Sequence, residues 1–168
     1  MKKPCAASRT VKTNRIFPID TNSHGTMFGG KLLSYMDEIA SISASRHSRA
    51  NVVTASMDSV DFLTPIRLDE AVTLESYVTW VGTSSMEVFV KVIAEDLSTG
   101  KRRLANTAFL TFVAFDNDGQ KQAVPGVLPE SEEERMLHKT AEERASRRVE
   151  RRKQSKLLAD AVSMETPS

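Results

Sequence analysis

Gly29-Gly30-Lys31-Leu32-Leu33-Ser34-Tyr35-Met36-Asp37-Glu38-Ile39-Ala40-Ser41-Ile42-Ser43-Ala44-Ser45 is the stretch on which the fold turns. Leu32, Leu33, Met36, Ile39, Ala40 and Ser43 recur at steps of three and four residues, the period of a helix with one buried face. Small residues fill Ala40 to Ser45, so a sheet can approach that face closely. Arg46, His47 and Arg49 follow, where cations suit the negative end of a helix. Outward from this helix the period changes to two. Thr10–Phe17 precedes it as a first strand. Val52–Phe62 follows and stops at Thr64-Pro65, because a residue before proline leaves regular geometry. Ala71–Val81, Met86–Asp96 and Leu104–Phe115 are further strands, separated by turns at Gly82-Thr83-Ser84 and Ser98-Thr99-Gly100. One apolar helix with a run of antiparallel strands is an α+β pattern, the sheet folded around the helix.

The 168 residues suit one domain with a sizeable core. Hydrophobic residues are 40% and charged residues 27%, and 23 Lys and Arg balance 22 Asp and Glu to a net charge of +1. No basic excess marks a dedicated nucleic-acid binder. The single cysteine, Cys5, excludes an internal disulfide framework and a CxxC zinc site. Lys2 and Lys3 lead into no apolar run, so no secretory signal and no membrane span are expected, and a cytoplasmic location follows. Composition shifts at Pro129. Residues 1–128 read as the folded domain and 129–168 as a charged helical tail. In the tail Glu130, Glu132, Glu133 and Glu134 come first, and Arg147, Arg148, Arg151, Arg152 and Lys153 later. The sequence predicts one long, mostly solvated helix over 130–160, with 163–168 frayed. It is either a polar extension or a basic docking surface for a partner or phosphorylated ligand.

Asp37 is out of place inside the most apolar helix. Burying a carboxylate costs several kcal/mol unless it is paired or hydrogen-bonded. Either Asp37 lies on the polar edge of the stripe, or it is held in a sheltered site for chemistry. Ser41, one turn on, is a supporting hydroxyl or simply a small packing residue. Gly29-Gly30 opens the same helix, and bare N–H groups at a helix start favour a developing negative oxygen. A tight turn would also use two glycines. Asp20, Asn22 and His24 lie in a polar loop without metal-ligand spacing. No GxSxG elbow, P-loop or dinucleotide fingerprint occurs. His24, His47 and His138 form no triad spacing, and His47 and His138 read as surface residues.

Asp20-Thr21-Asn22, then Gly25-Thr26-Met27-Phe28-Gly29-Gly30, then Met36-Asp37-Glu38, together resemble the hotdog-fold acyl-CoA thioesterases, in the group of bacterial and cytosolic brain-type acyl-CoA hydrolases. The resemblance continues through Val53-Thr54-Ala55, Asp61–Ile66 and Val81–Met86, covering roughly residues 10–128. It implies a long antiparallel sheet around one central helix, a side-by-side dimer, usually a trimer of dimers, and hydrolysis of acyl-CoA to fatty acid and free coenzyme A. It implies that Asp37 is catalytic and that Asn22 assists. The Gly82-Thr83-Ser84-Ser85 turn matches a segment near the coenzyme A chain. Arg102 and Arg103, with Lys101, Arg67 and the tail arginines, are candidates for its phosphates. No metal and no cofactor beyond the coenzyme A of the substrate is expected.

Polarisation of the thioester by backbone N–H groups would leave Asp37 as general base toward water, or as nucleophile through an anhydride. Gly29 and Asp37 are eight residues apart, about 12 Å along a helix. One carbonyl centre takes contacts of about 3 Å. A site using both therefore draws the Gly29-Gly30 turn from one subunit and Asp37 from its neighbour. A hotdog hydratase would want a catalytic histidine paired with a carboxylate, and the near candidate, His24, sits in a loop rather than on the central helix. A non-catalytic acyl-CoA sensor is the alternative of another class, and Asp37 after Gly29-Gly30 argues for catalysis.

Overall fold

A computed structural model of the chain describes residues 1–165. The expected fraying at 166–168 lies outside the described residues. The elements are β1 (Lys2–Pro4), β2 (Thr10–Arg15), α1 (Gly29–Ser48), β3 (Asn51–Phe62), β4 (Ala71–Val81), β5 (Ser85–Glu95), β6 (Arg102–Phe115), β7 (Gly126–Leu128), α2 (Glu132–Lys139) and α3 (Ala141–Ala161). Five strands form one antiparallel sheet in the order β2-β4-β5-β6-β3. The short β1 and β7 pair in parallel beside it. The hotdog architecture read from the sequence is present, with strand ends within a few residues of expectation.

Helix α1 lies against the inner face of the sheet. Leu32, Met36, Ile39, Ala40 and Ala44 pack on Leu74, Val88, Val90, Leu110 and Phe112, all buried. Each large aliphatic removed from water stabilises by about 1.5–3 kcal/mol. The small residues do what their size suggests: Ser43 is buried and bonds Ser76 Oγ at 2.7 Å and Thr10 Oγ1 at 3.0 Å, so helix and strands lie close. Arg49, in the left-handed region at φ 56°, ends the helix.

The tail departs from expectation. It is two helices, broken at Thr140; most of its residues are exposed as expected, but one face of its first part is docked on the sheet. Ser131 caps α2 by accepting from Glu134 N, while the Glu134 carboxylate accepts from Ser131 N. In α3, Arg144, Arg148 and Arg151 share one face and pair with acids on the outer face of the chain's own sheet. Arg144 Nη2 meets Glu87 Oε1 at 2.8 Å, Arg148 Nη1 meets Glu87 Oε2 at 2.5 Å, and Arg151 pairs with Asp58. The arginine stripe has helical period but carries charge, so a reading of apolar periodicity passes over it. Both histidines read as surface residues are also packed. His47 is fully buried with Nε2 against Pro125 O at 2.8 Å, and His138 Nδ1 meets Thr79 O at 2.8 Å. Their apolar ring bodies fit beneath segments far away in sequence. Among the described residues, no helix is long and apolar enough to cross a membrane.

Candidate active site

The candidate residues sort onto two regions of one subunit. Gly29 begins α1 beside Phe62, at the far end of β3; a side-chain carbon at Gly29 would lie 3.7 Å from that ring. Neither Gly29 nor Gly30 has positive φ, and Gly29 has room for a methyl group. A tight turn therefore does not account for the glycine at position 29. Their backbone N–H groups find no acceptor among the described residues, and the preceding Phe28 offers no side-chain cap. The polar loop lies at the same end, held by Met27 N donating to Ile66 O at 2.7 Å and Leu68 N to Gly25 O at 3.1 Å. Asn22 organises it: its Oδ1 accepts from His24 N at 2.9 Å, and its Nδ2 donates to Thr26 Oγ1 at 2.9 Å.

Next to Gly29 a cleft of about 330 Å³ is lined by Leu32, Phe62, Ile66 and Asn106. Asn106 is the residue sequence reasoning missed at this end. It shares the inward phase of Ala108, Leu110 and Phe112 on β6, and it is 1% exposed. Its Nδ2 has no acceptor among the described residues. The ladder shifts register beside it, between Val92 and Ile93, which is how a bulge re-aims a side chain. A polar residue in the apolar phase was the available signal, as it was for Asp37.

Asp37 lies two turns along α1, half-buried, and its one hydrogen-bond partner among the described residues is Thr54, whose Oγ1 donates to Oδ1 at 2.7 Å. No cation pairs with it among those residues. Thr54 stands near the start of β3 and was not singled out from the sequence as a site residue, since an ordinary strand threonine looks the same. Ser41 turns its hydroxyl back onto Glu38 O at 2.7 Å, away from any supporting role to Asp37. The Gly82–Ser85 turn lies at this end of the sheet too: Ser85 is level with Val113, and Val113 with Val53. Thr83 O and Ser84 O accept from Val124 N and Ala114 N, so this turn is braced by β6 and by the chain after it.

Of the basic candidates, Arg67, Lys101, Arg102 and Arg103 lie at the Gly29 end, while the tail's Arg148 and Arg151 are held by Glu87 and Asp58 on the outer face. Thr64, Arg67, Lys101, Arg102 and Arg103 border a cleft of about 530 Å³. Arg103 is committed: it grips both oxygens of Glu70 at 2.7 and 2.8 Å and donates to Pro65 O at 2.6 Å. That grip holds the Glu70 carboxyl below its usual pKa. Arg102 pairs with Glu95 at 3.2 Å on the surface. Arg67 and Lys101 have no ion pair among the described residues. No group of three His, Cys, Asp or Glu among those residues could hold a metal ion.

Known proteins resemble this chain closely. The thioesterase superfamily profile matches residues 24–101. An uncharacterized acyl-CoA thioester hydrolase of Bacillus subtilis is 63% identical over 163 residues, 97% of this chain and 95% of the relative. The human cytosolic acyl coenzyme A thioester hydrolase is 36% identical over 130 residues, 76% of this chain and 34% of the relative, so the chain spans about a third of that protein. Among solved structures, an acyl-CoA hydrolase of Bacillus cereus superposes with TM-score 0.95 at 51% identity, over 98% of this chain and 100% of the other. The acyl-CoA hydrolase of Staphylococcus aureus, solved with butyryl coenzyme A and coenzyme A, gives 0.92 at 45%, over 96% and 98%. Alanine variants of an aspartate, a threonine and an asparagine of that enzyme have also been solved. A hexameric acyl-CoA thioesterase gives 0.87 at 47% identity, over 89% and 96%.

Proposed function

The chain belongs to the thioesterase superfamily, and from that premise we propose that it is an acyl-CoA thioester hydrolase whose site is shared between two subunits. Residues 1–128 are its hotdog domain and 129–168 the appended tail. The observation that carries the reading is Asp37: a half-buried carboxylate on an apolar helix, steadied by one hydroxyl and left without a cation. Such a group keeps an oxygen free to accept from water. The variants solved for the Staphylococcus aureus enzyme support the assignment. Their asparagine, aspartate and threonine are spaced by 15 and then 17 residues, the spacings of Asn22, Asp37 and Thr54 here.

Two subunits are needed because the donors and the carboxylate lie at opposite ends of β3. That strand is a sheet edge twelve residues long, paired among the described residues with β6 alone, and it exposes Val53, Thr54 and Ala55 without a charge. The other edge, β2, is half as long and carries Lys12 and Arg15, the device that discourages edge pairing. Pairing β3 with a second copy, antiparallel about its middle, brings the Thr54 end of one chain toward the Phe62 end of the other. Asp37 then faces the Gly29-Gly30 amides, the Asn22 loop and the Arg67–Lys101 cleft of its neighbour. The hexameric relative is in keeping with three such dimers.

Asp37 takes a proton from water as it attacks the thioester carbonyl. The carbonyl oxygen becomes an oxyanion on the Gly29 and Gly30 N–H groups, with Asn106 Nδ2 as a third donor. The C–S bond then breaks, coenzyme A leaves as thiolate, and the acid remains. If Asp37 instead attacks directly, an anhydride forms and water opens it; single turnover in ¹⁸O-water labels Asp37 only in that route. Thiol release from acyl-CoA of graded chain length tests the function itself. Saturable binding without free coenzyme A would make the chain a sensor and overturn the proposal.

A further inference from the structure

Helix α3 crosses the outer face of the sheet from β5 over β6 to β3. Arg144 touches Glu87 of β5 and stacks over Phe109 of β6, its guanidinium 4.1 Å from the ring centre. Arg148 reaches both Glu87 and Asp58, and Arg151 pairs with Asp58 on β3. The seven residues from Arg144 to Arg151 rise about 10 Å along a helix axis. Two strand spacings, from β5 across β6 to β3, are also about 10 Å. At Arg151 the helix has therefore reached the sheet edge. It does not stop there: α3 continues to Ala161, and residues 152–161 are exposed throughout, with Leu157 at 71% and Leu158 at 65%. Ten residues of unsupported helix carrying two bare leucines are marginal in water.

We propose that this outer half of α3 is a strap across the dimer seam, seating Leu157 and Leu158 on the outer face of a second copy of this chain. The proposal rests on the β3 edge-to-edge dimer described above. Leu157 and Leu158 lie six and seven residues past Arg151, about 9–10 Å. That again spans two strand spacings, now β3 and β6 of the second copy. The surface they reach is the one beside its α3. There Ser59 and Phe109 floor a groove of about 230 Å³ walled by Arg147 and Arg151. Ser59 of β3 is level with Phe109 of β6, at the height where α3 crosses. Phe109 is only partly covered by Arg144, so it can take an aliphatic partner.

Two-fold symmetry lays the two α3 helices antiparallel across the seam. With the axis one to two residues past Arg151, Leu157 and Leu158 of one helix lie beside Arg147 and Arg148 of the other, and Lys156 lies beside Glu150.

The full-length protein carries the test, by sedimentation equilibrium with circular dichroism as a folding check. Leu157→Glu/Leu158→Glu should raise the dimer dissociation constant at least tenfold with native melting. A photo-reactive benzophenone side chain at position 158 should give a covalent dimer, joined at the peptide containing Phe109. Ala55→Pro probes the underlying dimer, since Ala55 is skipped in the β3–β6 ladder and has no pair to lose. Dissociation by Ala55→Pro, an unchanged constant in the leucine variant and cross-links confined to one chain would overturn the strap and leave the edge dimer standing. A dimer indifferent to a folded Ala55→Pro chain would overturn both.

Discussion

Two carboxylates of this molecule, Asp37 and Glu87, are sheltered on opposite faces of one sheet and are treated in opposite ways. Glu87 is fully buried and saturated. Arg144 and Arg148 grip both its oxygens, and Thr79 Oγ1 donates at 2.8 Å. Asp37 is half-buried, takes one hydroxyl and has no cation among the described residues. A carboxylate ringed by guanidinium groups has no lone pair to spare, and its work is to fasten α3 to the sheet. A carboxylate held by one hydroxyl keeps a free oxygen for water. Burial alone does not mark a reactive acid; the number of lone pairs left free decides.

The contrast can be broken from either side. Asp37→Ala should lower turnover by about 10²–10⁴-fold, the worth of a positioned general base, with little change in melting temperature. A folded Asp37→Ala chain with near-normal thiol release removes the aspartate from the mechanism. Glu87→Ala should do the reverse. It leaves two arginines uncompensated beside the sheet, so chemical denaturation should show a loss of about 3–5 kcal/mol. A loss below 1 kcal/mol would mean that the arginines re-solvate freely.

Smaller changes sharpen the comparison. Thr54→Ala removes a hydrogen bond to a charged group, about 1.5–3 kcal/mol. It should cost kcat more than KM, and Thr54→Ser should restore most of it. Asn106→Leu removes a buried donor without an acceptor and should hold or raise stability while lowering kcat; unchanged kcat would strike Asn106 from the oxyanion donors. The smallest effect expected is in pH. Burial, opposed by the bond to Pro125 O and aided by nearby Lys3, lowers the pKa of His47 below its ordinary value. The folded state then binds the proton less readily than the unfolded chain. That stability is present above about pH 6.5 and is lost as pH falls toward the folded value. Melting curves from pH 8 to 5 should show the decline, and His47→Gln should flatten it.

Much of this was legible in the residues. The switch from period three-and-four to period two located α1 and the long strands, because each buries one face. Asp37 stood out as a charge within an apolar stripe. Thr54 did not, because its importance is a contact with α1 from 17 residues away, and strand threonines are common. The tail misled for a related reason. Its arginines follow the helical period, but only their distant partners Glu87 and Asp58 turn a solvated face into a docked one. His47 and His138 were misplaced likewise, by contacts to Pro125 and Thr79 that no local pattern encodes.

Mixing two inactive chains is the most direct measurement of the shared site. Asp37→Ala and Asn22→Ala proteins, each folded and inactive alone, are unfolded together, refolded and assayed for thiol release. Random pairing makes about half of the dimers mixed, with one intact site in each, so about a quarter of wild-type activity should return. No recovery, with mixed dimers demonstrated by mass spectrometry, would place both residues in the same subunit's site and contradict the account.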